Sequence, residues 1–280
     1  MAKKKKHKNN KKKKEYKPTG QKTAKKKRFP SVKVKEGSEE EGMRLNKYVA
    51  HCGICSRRQA AEAVKAGKVS VNDQVELAPY YQVQAGDVVR FEGKVIKPEE
   101  RKVYYLMNKP RNYITTTNDE RDRRTVMDIV GKRVKERVFP VGRLDRQTTG
   151  LLVFTNDGDL ALKMTHPSYE MTKVYHVGLD KPILEEHLEA IKAGFDLEDG
   201  PVQVDSLHIR PKHGPQDLVI ELHIGRNRIV RRIFAHFGYT VEKLDRVYLG
   251  GLTKKDLSRG FIRPLTEQEV IMLKHFSNKK

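Results

Sequence analysis

A chain of 280 residues with 37% hydrophobic side chains is long enough to bury a sizeable core, as one large domain or as a large one with a small appendage. Its 58 lysines and arginines stand against 36 acidic residues, and the resulting net charge of +22 points to a polyanionic partner, most simply nucleic acid. No apolar run approaches the ~18 residues of a membrane span and the N-terminus lacks the apolar core of a signal peptide, so a cytoplasmic protein without membrane association is expected.

Residues 1–42 hold 17 of the basic and 5 of the acidic side chains, which leaves the rest of the chain with 41 and 31 and cationic in its own right. Lysine runs up to Arg28 carry almost nothing apolar to offset the entropy of ordering, so residues 1–42 read as a disordered tail. Such a tail would add solubility or nonspecific phosphate contact.

A small domain is expected over residues 43–102. Arg44 to Ala50 reads as a short helix, and Ser56 opens a second, with Gln59 completing a capping box and Gly67 ending it. Short strands follow: Val69 and Val71 precede the Asn72-Asp73 turn, and Val88, Val89 and Phe91 lie between Gly86-Asp87 and Glu92-Gly93. Cys52 and Cys55 form one Cys-x-x-Cys with no second pair, so they read as small packed residues and no metal is expected. The pattern Arg44-Leu45, Gly53, Ser56-Arg57-Arg58 and Gly67-x-Val69-x-Val71-Asn72 resembles the alpha-L RNA-binding module, also called the S-four domain. That resemblance implies RNA contacts for Arg44, Lys47, Arg57 and Arg58.

From residue 103 to 280 strands and helices alternate without repeats, which suggests an α+β domain with a largely antiparallel sheet. Val103 to Met107 reads as a strand running into Asn108-Lys109-Pro110. Within Pro140 to Gly158, Asp145 sits among arginine, threonines and glycines directly before the apolar run Leu151 to Phe154, which closes on the turn Asn156-Asp157-Gly158. A carboxylate in that setting belongs to an active-site loop on a rigid base rather than to a surface turn. Lys173 to Val177 is an alternating strand carrying Tyr175. Leu184, Leu188 and Ile191 share a helix face that Gly194 ends, and Leu218 to Ile224 is a further strand. Over Ile224 to Gly238 a helix would gather Val230, Ile233, Phe234 and Phe237 on one side and leave Arg228, Arg231 and Arg232 on the other for phosphate or carboxylate. Thr266 with Glu269 caps a last helix reaching about Phe276. His166 beside Pro167 reads as structural, the histidines lack metal-ligand spacing, and no glycine-rich loop for nucleotide phosphates is present, so no cofactor is expected.

Gly142-Arg143-Leu144-Asp145, Lys173-x-Tyr175, Asn227-Arg228-x-Val230-Arg231-Arg232, Asn108-Lys109-Pro110 and the closing Leu244-Asp245-Arg246 through Leu265 together resemble bacterial RNA pseudouridine synthases of the small-subunit synthase A and large-subunit synthase B group. Ile224, Ile229 and Asn112 depart from the residues usual in that group. The resemblance implies isomerisation of a specific uridine in ribosomal RNA, 23S in the first instance, without a cofactor. It makes Asp145 the essential carboxylate, Arg231 the cation that pairs with it, Tyr175 a residue lying against the target base, and Arg143 the side chain that fills the gap left by a flipped-out base. Lys109, Arg228 and Arg232 join the expected RNA contacts. Asp145 suits two routes equally, as a nucleophile at the anomeric carbon or as a base that removes the ribose 2′ proton. The partner is then ribosomal RNA or an assembling ribosomal subunit, and the protein a monomer. The competing reading is a noncatalytic RNA-binding or ribosome-assembly factor on the same fold.

Overall fold

The computed structural model describes residues 42–275. The expected tail lies outside them apart from Gly42, as does Phe276.

Helices α1 (Leu45–His51) and α2 (Arg57–Lys65) open the described chain. The start of α2 is fixed locally: Ser56 Oγ accepts from the Gln59 N–H, and the Gln59 side chain accepts from the Ser56 N–H at 3.0 Å. Two orphan donors of the first turn are thereby satisfied. Leu45 and Val49 on α1 face Ala60 and Val64 on α2, and all four are buried with Val69, Val71, Val83 and Val89. The strands β1 (Val69–Val71), β2 (Gln74–Val75), β3 (Val89–Phe91) and β4 (Lys94–Val95) form a small antiparallel sheet in the order β2-β1-β3-β4. The module thus has a core of its own.

A nine-stranded sheet organises the rest. Its strands include β5 (Tyr104–Lys109), β6 (Phe139–Val141), β7 (Thr149–Thr155), β8 (Lys173–Leu179), β9 (Ser206–Ile209), β10 (Asp217–Leu222), β11 (Val241–Leu249) and β12 (Ile262–Pro264). The main path runs β9-β10-β8-β11-β7-β5-β12, with β6 on β7 and the short Leu252–Thr253 strand on β11. The continuous apolar run in β7 follows from burial on both faces. Leu152 and Phe154 enter one core cluster with Tyr175, Ile220 and Phe234, while Leu151 and Val153 enter another with Leu106, Leu249 and Leu273. The larger helices are α3 (Gly158–Thr165), α4 (Glu185–Ala193), α5 (Ile229–His236) and α6 (Glu267–Lys274).

Within the nine-stranded sheet, pairing among the described residues is antiparallel except at one place. β7 and β11 run parallel, with Thr149 opposite Asp245 and Gly150 opposite Arg246. Gly150 has φ +110, and a Cβ there would lie 2.2 Å from the Arg246 carbonyl oxygen, so the two strands approach only because that residue is glycine.

Two helix boundaries differ from the sequence expectation. The helix expected over 224–238 spans only Ile229–His236, because Arg228 adopts a left-handed conformation (φ 48, ψ 31) that stops it from extending backwards. Leu184 does not share the buried face of α4: it is the extended N-cap residue and 52% exposed, while Leu188 and Ile191 are buried and Gly194 ends the helix at φ +89. Thr266 and Glu269 do form a capping box on α6.

Candidate active site

Asp145 lies in the segment between β6 and β7, at the mouth of the parallel junction. Its Oδ2 is 3.5 Å from Nη1 of Arg228 and 4.0 Å from Nε of Arg231, and about a third of its side chain is exposed. The left-handed Arg228 lets the chain deliver both guanidiniums to one carboxylate: Arg228 reaches in before α5 begins, and Arg231 comes from its first turn. Arg231 Nη1 donates to the Val241 carbonyl, while its Nε and Nη2 are buried without a hydrogen-bond partner among the described residues. Burial, then the nearby Arg228, push the Arg231 pKa down, and Asp145 opposes them. Arg231 is thus held beneath the partly exposed carboxylate, its Nε side facing Asp145 Oδ2 at 4.0 Å.

Lys109 is a correction. The expected RNA contact is fully buried, since its ammonium turns inward and donates to the carbonyls of Asp145 (3.1 Å), Thr148 (2.9 Å) and Pro110 (3.1 Å), with Arg146 at 3.5 Å. Converging carbonyls outcompete solvent for the ammonium, and no phosphate can reach it there. Burial lowers its pKa to about 8 against the opposing pull of Asp145. Its place in the fold is beneath the Asp145 loop.

Tyr175 sits on β8, opposite Arg246 on β11, and is 8% exposed. Its ring belongs to the same core cluster as Leu144, Ile229 and Val230, the neighbours in sequence of Asp145, Arg228 and Arg231. The next strand supplies a support that sequence reasoning left unassigned: Arg246, also buried, donates from Nε to the Leu151 carbonyl at 2.8 Å and so ties β11 to β7. Arg111 is a second, donating to the Gln147 side chain at 2.7 Å and the Glu242 carbonyl at 3.1 Å.

The other expected RNA contacts separate into free and engaged groups. Arg143 is exposed without a partner among the described residues, as are Arg44, Arg57 and Arg58 on the small module. Lys47 pairs with Asp159 on α3 at 3.3 Å. Arg232 is turned away from Asp145 and held by both oxygens of Asp199, each at 2.8 Å, while Arg226 donates to the same carboxylate at 3.2 Å. Asp199 sits in the hairpin formed by Phe195–Leu197 and Gly200–Val202, and its two arginines, Arg232 foremost, hold its carboxyl well below the usual range. The sequence offered no signal for this pair, whose members are 33 residues apart.

Residues 103–236 match the family described as RNA pseudouridylate synthase, and residues 43–89 match the S4 domain. An uncharacterized RNA pseudouridine synthase of Aquifex aeolicus is 37% identical over 233 residues, covering 82% of this chain and 93% of that relative. This chain belongs to the RNA pseudouridine synthase family. Two further synthases are similarly close. The ribosomal large subunit pseudouridine synthase B of Bacillus subtilis is 38% identical over 234 residues (82% of this chain, 95% of the relative). The dual-specificity RNA pseudouridine synthase RluF of Escherichia coli is 37% identical over 237 residues, 84% and 79% of the respective chains. A crystal structure of a pseudouridylate synthase superposes with a TM-score of 0.59 at 27% identity, covering 83% of this chain and all of that one. The protein is therefore an isomerase acting on RNA, with an S4 domain ahead of a pseudouridine synthase fold. Among the described residues no helix is long and apolar enough to cross a membrane.

Proposed function

We propose that this synthase converts a specific uridine of ribosomal RNA to pseudouridine, with Asp145 as the reacting carboxylate. The observation that carries the reading is Asp145 itself: partly exposed, yet with its Oδ2 within 3.5–4.0 Å of two guanidiniums. The two guanidiniums complement the negative charge of a carboxylate, the species required either to attack the anomeric carbon or to take the 2′ proton. Arg231, anchored to the Val241 carbonyl and 4.0 Å from the carboxylate, orients it. Tyr175 lies against the uracil, which must leave the stack to be reached, and Arg143 fills the vacated space. Arg228 is shared between Asp145 and the RNA backbone. Arg232 contributes to the phosphate path only after release from Asp199.

Residues 43–102 act as the RNA-binding domain through Arg44, Arg57, Arg58 and Lys47, and residues 103–280 as the catalytic domain. The name of the Bacillus subtilis relative, a ribosomal large subunit pseudouridine synthase, supports ribosomal RNA as the substrate and favours the large subunit, hence 23S RNA. The protein works as a cytoplasmic monomer on that RNA or on an assembling subunit.

Pseudouridine mapping of ribosomal RNA from cells lacking the protein, complemented with wild type or with Asp145→Asn, tests this. One pseudouridine should disappear and return only with wild type. A map that does not change on deletion would overturn the ribosomal reading, and full restoration by Asp145→Asn would overturn the role of the carboxylate.

A further inference from the structure

The segment that carries Asp145 is gripped from below and from both sides. On the C-terminal side, Lys109 takes the carbonyls of Asp145 and Thr148, the Asn112 N–H donates to the Arg146 carbonyl at 2.8 Å, and the Thr148 N–H closes a turn on the Asp145 carbonyl at 3.0 Å. On the N-terminal side the grip is a side-chain hydroxyl. Thr115 Oγ1 donates to the Leu144 carbonyl at 2.8 Å and accepts from the Leu144 N–H at 3.2 Å. One hydroxyl carries one proton and free lone pairs, so both bonds form without competition.

The N–H of Leu144 belongs to the peptide that joins it to Arg143, and its carbonyl to the peptide that joins it to Asp145. A group bonded to both therefore fixes the two peptide planes that set where Arg143 and Asp145 point. The Leu144 side chain, 6% exposed in the larger core cluster, anchors the third direction. Without the hydroxyl, the Leu144 backbone would lose both partners in a half-buried setting and would rotate to recover them.

We infer that Thr115 is a positioning residue for the isomerisation: through Leu144 it sets the directions of the Asp145 carboxylate and the Arg143 guanidinium together. The inference rests on the reading of Asp145 as the reacting group. Thr115 itself touches no reacting atom, and its contribution is geometric, which predicts a defect in rate rather than in binding.

The test is single-turnover pseudouridine formation by the full chain in excess over RNA taken from cells lacking the protein. Thr115→Val keeps the shape and removes the hydroxyl, while Thr115→Ser keeps the hydroxyl. Misplacing a reacting group by about 1 Å costs on the order of 10²-fold in rate, so Thr115→Val should slow the saturated rate by roughly 10- to 100-fold. Its half-saturating concentration should stay near wild type, and Thr115→Ser should restore most of the rate. A wild-type rate for Thr115→Val, equal slowing in the serine variant, or a loss confined to half-saturation would overturn the inference. Asp145→Asn in the same assay separates the two readings: an inactive Asp145→Asn beside a normal Thr115→Val defeats only the role of Thr115, whereas an active Asp145→Asn defeats the assignment of Asp145. If Thr115→Val does not fold, the ratio of Thr115→Ser to Thr115→Ala decides, and a ratio of one overturns the inference.

Discussion

At the scale of single residues, the site depends on charges placed where sequence patterns cannot show them. Lys109 is the clearest case. Its pKa of about 8 lies below the ordinary 10.5, so below pH 8 the ammonium is charged in both folded and unfolded chains and its burial penalty is fully present. Between about pH 8 and 10.5 the unfolded chain holds the extra proton, and stability contributed by this residue rises with pH. The loop carbonyls lose their charged donor over the same range. Activity should therefore fall above pH 8 while stability contributed by Lys109 increases, a divergence readable from parallel rate and denaturant-unfolding profiles. Lys173, also lowered to about 8 by burial, adds to the same slope, and Lys109→Met should remove only one of the two protons from it. The sequence marked Lys109 through Asn-Lys-Pro and read it as an outward contact, because all but one of the carbonyls that capture it come from residues 36 to 39 positions away. The loop before β7 was legible for the opposite reason, since its turn residues and the following strand are contiguous.

At the scale of elements, local signals carried the caps and two-sided burial carried β7. The capping box at Ser56 and Gln59 is written in four residues, and Ser56→Ala should cost about 1 kcal/mol. Because Arg57 and Arg58 ride on the same turn, RNA affinity should weaken with it while the saturated rate does not change; thermal melts and titrations with RNA check both. The start of α5 was illegible, because nothing in an arginine announces a positive φ and the helical pattern continues through it. The clamp of Arg226 and Arg232 on Asp199 was equally hidden, being a contact between separate elements. Asp199→Asn should release Arg232 and remove one anion, while Arg226 stays on the Gly200 and Pro201 carbonyls, tightening RNA binding and steepening its salt dependence. Weaker binding instead would assign the hairpin itself to the RNA surface.

Charge distribution sets the behaviour of the whole molecule. Removing residues 1–42 takes away 17 basic and 5 acidic side chains and leaves a body that is still cationic. Affinity for RNA should drop most at low salt, and the slope of log affinity against log salt should become shallower. An unchanged slope would deny those residues any phosphate contact. Fold class and order of parts were legible at this scale because alternating apolar strands, turn residues and amphipathic helices were mutually consistent. The parallel pairing of β7 with β11 was not, since register between distant strands is decided by the closed sheet.

That pairing has a consequence for synthesis of the protein. The rungs at Thr149–Asp245 and Gly150–Arg246 join segments separated by some 95 residues, and Asp145 meets Arg228 and Arg231 beside that seam. While the polypeptide is still emerging, Asp145 is made early and its guanidinium partners late, so a ribosome-bound or prematurely terminated chain ending before β11 carries the carboxylate without the seam that assembles it. On the proposed role of Asp145, an incomplete chain would carry its cationic charge before it could modify any RNA.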